Sequence, residues 1–147
     1  MSAFVLDNSV AMRWHLESPK KSDQVYAVSV LKSLAEADAF VPNLWHLEAT
    51  NVLLGAEKRK ETSAGEVEAF IAQLENLPLH VDPLTSHQCF SRTMALARAY
   101  NLSSYDAAYL ELAIREGLPI ATLDKDLRKA AKKADVAIYF MKWGRDK

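Results

Sequence analysis

The chain has 147 residues, half of them apolar, with a formal net charge of −1 and a single cysteine. That length and apolar share suit one domain with a sizeable buried core, and residues 1–147 are expected to form it. A near-zero charge gives no global case for a polyanionic partner, lone Cys89 excludes an internal disulfide or a cysteine-based zinc site, and no apolar run approaches the ~18 residues of a membrane span.

Short β-rich runs alternate with longer stretches of helical period, the pattern of an α/β fold around a central, mostly parallel sheet. The first strand is expected at Ala3–Leu6, ending in Asp7, with helices over Ser9–Glu17 and Ser22–Ala37 after it. A second strand at Ala39–Val41 leads into helices over Leu44–Lys60, which carries Glu48, and Ala64–Leu77. Leu79–Val81 is the third strand, followed by helices at Ser86–Tyr100 and Ser104–Glu116, the latter carrying Asp106. Strands at Pro119–Thr122 and Ala137–Phe140 enclose a last helix, Lys125–Lys133, which Asp124 opens. The expectation is therefore about five strands and about seven helices. In open sheets of this kind ligands bind beyond the carboxyl ends of strands where strand order reverses, so acids at strand ends are the first candidates.

Asp7 and Asp124 both end strands, and their carboxylates converge if those strands are neighbours; an N-cap role in the following helix is the alternative for each. Glu48 has Leu44, Trp45, Asn51 and Val52 as helical neighbours, which sets a carboxylate on a mostly apolar face. Burying it unpaired costs roughly several kcal/mol unless a cation or hydrogen-bond donors compensate, and a salt bridge to an Arg or Lys is the plain alternative. Asp106 repeats the pattern beside Leu102, Tyr109 and Leu110, although Ser103-x-x-Asp106 also fits a capping box. Four acids at one sheet edge suit a hard dication with oxygen ligands, Mg²⁺ with Mn²⁺ as substitute, which can polarise a phosphoryl oxygen and activate a bound water.

Other chemistries lack their motifs: the chain has no G-x-x-x-x-G-K-[ST], G-x-G-x-x-G, G-x-S-x-G or H-E-x-x-H. His15, His46, His80 and His87 form no tight cluster and are expected to be structural or surface groups, with His15 and His46 kept as candidates for support near the acids. Cys89 is expected to be buried filler, and Trp14 and Trp45 to be core or a partner surface. Lys125 to Lys147 carries eight Lys/Arg against three Asp, net +5, which leaves −6 on residues 1–124. A solvated helix face or phosphate contacts account equally for that segment. A site that takes an anionic phosphate substrate past its own carboxylates needs cations nearby, and Arg13, Arg128 and Lys129 are the first candidates for substrate binding.

Four segments resemble those of the PIN-domain ribonucleases, and within them the VapC-like toxins of bacterial and archaeal toxin–antitoxin pairs. They are V-L-D-N-S after the first strand, L-E-x-x-N-V-L around Glu48, S-x-Y-D-A-A-Y-L-x-L-A around Asp106, and T-L-D-x-D-L around Asp124. The likeness covers nearly the whole chain in order and spacing, and the Y-D-A-A helix is its most specific part. It implies a PIN-like three-layer fold, an acidic Mg²⁺ or Mn²⁺ pocket, and endonucleolytic cleavage of RNA that leaves 5′-phosphate and 3′-hydroxyl ends. It also implies that Asp7, Glu48, Asp106 and Asp124 are the metal-binding and catalytic acids, with Ser9 and Thr122 in support; Asn8 and the additional acid Asp126, which on a helix can turn away, are kept beside them as supporting candidates. A cognate VapB-like antitoxin and a homodimer follow from the same resemblance, while a start with no basic n-region and the lack of a membrane-length apolar run give the expectation of a soluble, cytoplasmic protein away from the membrane.

Two other readings compete. A haloacid-dehalogenase-like phosphatase would use Asp7 as nucleophile, but expects a second acid two residues on, where this chain has Ser9. A non-catalytic RNA- or protein-binding module would use the acids as caps and the basic C-terminal segment for phosphate contacts; metal dependence separates it from a nuclease.

Overall fold

Phe4, Val5 and Leu6 are wholly buried side by side, so the first strand, β1 (Ser2–Leu6), has cover on both faces instead of one face in water. In this computed structural model, which describes residues 2–140, β1 pairs in parallel with β2 (Ala37–Val41) on one side and β4 (Ile120–Ala121) on the other. β3 (Leu79–Val81) pairs in parallel with β2, which gives the order β3-β2-β1-β4. The register sets Phe4 beside Ala39 and Leu6 beside Ala121. The chain steps outward from β1 through β2 to β3, then returns to the other side of β1 for β4. Strand order therefore reverses between β1 and β4, and the carboxyl ends of these two strands frame a crevice.

Among the described residues eight α-helices connect and cover the strands: α1 (Asn8–Ala11), α2 (Lys21–Ser33), α3 (Trp45–Lys58), α4 (Ala64–Leu74), α5 (Thr85–Gln88), α6 (Met94–Tyr100), α7 (Ser104–Glu116) and α8 (Lys125–Lys133). A short 3₁₀ turn, Met12–Trp14, extends α1, and a π turn, Cys89–Thr93, joins α5 to α6 into one helical stretch. The expected seven helical segments are thus all present. Their ends follow from local chemistry. Ser63 and Glu66 form a reciprocal capping box on α4, Ser103 caps α7, and Gly117 closes α7 in the left-handed conformation that lacks a Cβ penalty. α7 packs against β1, β4, α6 and α8, and its residues Ala107–Ala113 are all buried. Among the described residues no helix is long and apolar enough to cross a membrane.

Among the described residues the sheet has four strands where about five were expected. Ala137–Phe140 contributes one isolated parallel bridge, Ile138 beside Ile120, with Ile120 N–H bonded to the Ala137 carbonyl and Tyr139 N–H to the Ile120 carbonyl. Asp135 and Phe140, at φ 63° and 66°, bracket the segment in backbone conformations a strand cannot continue through. Cys89, expected as buried filler, is only half-buried, and its thiol lies 3.3 Å from the Thr85 carbonyl. Trp45 is core, and the half-buried Trp14 donates its indole N–H to the Ala27 carbonyl at 2.7 Å. Part of the basic C-terminal segment, residues 141–147, lies outside the described residues.

Candidate active site

Asp7 follows β1 directly. Its N–H bonds to the Ala121 carbonyl at 3.0 Å, which ties it to the end of β4. It stands at the N-cap of α1, yet its side chain makes no capping bond. Instead Oδ2 accepts from the Ser9 hydroxyl at 2.6 Å and the Thr122 hydroxyl at 2.7 Å. Each hydroxyl also accepts a backbone N–H from the loop after β4: Leu123 to Ser9 at 2.9 Å, Asp124 to Thr122 at 3.0 Å. Both hydroxyl protons are thereby committed to Asp7, and the ends of β1 and β4 are laced together through one carboxylate.

Asp124 keeps its expected cap: Oδ2 accepts from Leu127 N–H at 2.8 Å and starts α8. Asp106, in the first turn of α7, has its N–H capped by Ser103 at 3.1 Å, but no return bond from its own carboxylate completes a capping box. Glu48, in the first turn of α3, accepts from the Tyr109 hydroxyl at 2.5 Å and from Asn8 Nδ2 at 3.3 Å. The salt bridge weighed for Glu48 is not what compensates it. Among the described residues its partners are a buried phenol and a buried amide, and the amide is held by the Trp45 carbonyl at 2.9 Å.

The four carboxylates share one electrostatic neighbourhood. Burial pushes Asp7 up to about 6 against the pull of its two hydroxyl donors, and the charges of Glu48 and Asp124 add to the rise. Asp106 is also pushed up to about 6, by burial first and then by Asp124, Asp7, Glu48 and Asp126. None of the five ion pairs among the described residues involves any of the four acids. Such a cluster, repelling itself with no cation to offset it, has the donor chemistry of a hard-dication site. The Oδ1 of Asn8, whose Nδ2 faces Glu48, is buried and unpartnered among the described residues. The fit lies in oxygen donors and shared charge: among the described residues no three His, Cys, Asp or Glu side chains are already placed to grip an ion directly. An ion that keeps several waters, as Mg²⁺ does, is compatible with that spacing.

The remaining candidates fall at varied distances from this cluster. Ser9, Thr122 and Asn8 touch the acids directly. Asp126 is exposed and acts on Asp106 through its charge. Arg128 donates to the Thr122 carbonyl at 2.7 Å and lies over the Tyr26 ring, so it fastens the loop that carries Asp124. Lys129 is exposed on α8, whereas Arg13 is not brought to the acids and donates to the Glu17 carbonyl. Neither histidine kept as a candidate supports the acids: His15 bonds to Thr62 and stacks on Phe70, and His46 is exposed. Tyr109 was missed as a site residue. The signal existed, because a tyrosine on an apolar helix face needs a partner for its hydroxyl and Glu48 needs a donor.

Comparison with known proteins bears on the family and the fold. No curated protein matches the chain significantly. Among solved structures, PAE2754 from Pyrobaculum aerophilum superimposes with a TM-score of 0.66, at 19% identity, over 93% of this chain and 83% of the other. FitAcB from Neisseria gonorrhoeae gives a TM-score of 0.50 at 18% identity, over 92% of this chain and 95% of the other. At such identities the likeness concerns the fold. PIN domains are generally nucleases. The PIN domain family profile matches residues 4–133, and the chain belongs to the PIN-domain family.

Proposed function

We propose that this chain is a metal-dependent endoribonuclease of the VapC-like toxin kind, formed by residues 1–147 as one domain. The observation that carries this reading is the set of four carboxylates at the β1/β4 switch point, two of them pushed up to about 6, with no basic side chain paired to any of the four among the described residues. Asp7, Glu48, Asp106 and Asp124 would hold Mg²⁺, or Mn²⁺ in its place. When bound, the ion supplies a polarised phosphoryl oxygen and a water of lowered pKa.

The chain's own residues do the positioning. Ser9 and Thr122 hold one oxygen of Asp7 still and leave its other oxygen free of them. Tyr109 and Asn8 do the same for Glu48. Asp124 gives one oxygen to α8 and so faces the crevice from a fixed helix end. Preorganised acids lose little conformational freedom when the ion and the phosphate arrive. The phosphatase alternative loses ground here, since Ser9, where that chemistry needs an acid, donates to Asp7.

Cleavage of an RNA strand to 5′-phosphate and 3′-hydroxyl ends, neutralisation by a VapB-like antitoxin and a homodimer complete the proposal on the strength of the family resemblance, with the cytoplasm as the proposed place of action. The test is cleavage of total bacterial RNA by antitoxin-free protein with Mn²⁺ or Mg²⁺ against EDTA, beside Asp7→Ala, with end mapping. Discrete cuts with 5′-phosphates that vanish with EDTA and in the mutant are expected. Cuts that survive both controls, or no cuts at all, overturn the reading.

A further inference from the structure

A cleft of about 210 Å³ opens between the end of α6 and α8, lined by Tyr100, Asn101, Asp126, Lys129, Ala130 and Lys133. We propose that this cleft binds the nucleotides flanking the cleaved bond, with Lys129 and Lys133 taking successive phosphates of a single RNA strand; the proposal rests on the nuclease reading above.

Three observations carry it. The cleft lies near the acids: Asp126 in its lining adds its charge to Asp106, and Asn101 stands two residues before the cap of the helix that carries Asp106. Spacing is the second. Asp126, Lys129 and Lys133, three and four residues apart, share one face of α8, and the two lysines lie about 6 Å apart along the helix axis. That is the step between neighbouring phosphates of an extended strand, so the two lysines can take successive phosphates along one helix face. Availability is the third: both lysines are exposed, and neither is in an ion pair among the described residues. Arg128 on the same helix is already engaged by the Thr122 carbonyl and Tyr26.

Charge grades along α8 from carboxylates at its start to lysines at its end. The acidic end repels a polyanion and the basic end attracts it, so the lysines hold the strand where the acids alone would not. The buried Ala130 leaves room at the floor, and the half-buried Tyr100 ring at the wall offers a face on which a base can stack without sequence preference.

The test is binding of a fluorescent, unstructured RNA oligonucleotide across a salt series in EDTA, where the strand stays intact, using the full chain. The double variant K129A/K133A is expected to bind about tenfold more weakly at low salt. Its slope of log affinity against log salt should fall by about 1.4, two phosphate contacts at about 0.7 each. K129R/K133R should keep the wild-type slope. If wild type binds this RNA and cuts it with Mn²⁺ while K129A/K133A binds with unchanged affinity and slope, the lysines are a solvated face and the cleft proposal is overturned alone. A wild type that neither binds nor cuts the RNA overturns the nuclease reading and the cleft with it.

Discussion

The hydroxyl of Tyr109 on α7 donates a 2.5 Å hydrogen bond to Glu48 on α3, joining two helices across 61 residues of chain. Burial, followed by the charges of Asp7 and Glu48, pushes the phenol far above its ordinary range, so it remains a donor at any working pH. Tyr109→Phe keeps the ring in the core and deletes only this donor. The expected cost is about 1 to 2 kcal/mol in urea denaturation, with RNA cleavage slowed about tenfold and the Mn²⁺-induced rise in melting temperature reduced. An undiminished Mn²⁺ response in the mutant would show that Glu48 does not depend on the clamp.

Asp7→Asn should separate stability from activity. The Asp7 carboxylate is buried and held near 6 by that burial, so its charge destabilises the metal-free fold at pH 7. The amide oxygen can still accept from Ser9 and Thr122. The mutant is expected to melt a few degrees above wild type in EDTA, at about 3 °C per kcal/mol for this size, and to cut no RNA. Calorimetry in EDTA and with Mn²⁺ checks both halves; a mutant that melts lower in EDTA contradicts the electrostatic argument.

The pH dependence follows from Asp7 and Asp106 together. Both titrate near 6 when folded, against an ordinary carboxyl value of 3.8. Between about 4 and 6 the native state therefore binds more protons than the unfolded chain, and the stability contributed by these groups falls as pH rises through that window. In EDTA the melting temperature should climb as pH is lowered from 7 to about 5, and the Asp7→Asn, Asp106→Asn double mutant should lack that part of the climb. Cleavage with Mn²⁺ should run the other way and rise with pH through about 6, because the acids must be ionised to hold the ion. A melting profile identical in wild type and double mutant would remove the basis for this prediction.

Arg115 closes a network far from the acids. It bonds both oxygens of Asp82, at 3.1 and 2.6 Å, and both of Glu111, at 2.7 and 2.9 Å, and these carboxylates are 5% and 2% exposed. Arg115→Ala strands two buried charges and is expected to destabilise the fold by about 3 kcal/mol in denaturant titration. Arg115 stands nine residues from Asp106 on α7, about 13 Å along the helix, so cleavage per folded molecule should be unchanged at low temperature. A loss under 1 kcal/mol would mean the carboxylates find other partners.

Much of this was readable in the chain because it is written locally. The buried run Phe4-Val5-Leu6 followed by Asp7, the Ser103 cap before Asp106, and Asp124 at the head of an amphipathic helix each need only a few consecutive residues to be recognised. Helix-forming periods were equally local, and all seven helical segments appeared. The fifth strand failed for a local reason of another kind: the positive φ of Asp135 and Phe140 is a backbone state that residue type barely announces.

The sequence by itself determined which residues are acids, which helix turns and strand ends carry them, and that the chain forms a parallel α/β fold, since these depend on short-range periodicity and capping. Tertiary structure alone decided that β4 lies beside β1, that Thr122 and Ser9 share one oxygen of Asp7, and that Glu48 meets Tyr109 instead of an arginine. Those contacts join residues separated by 61 to 115 positions, apart from the local Ser9 bond. Partners that distant are chosen by how the helices pack over the sheet, and no spacing along the chain encodes that choice.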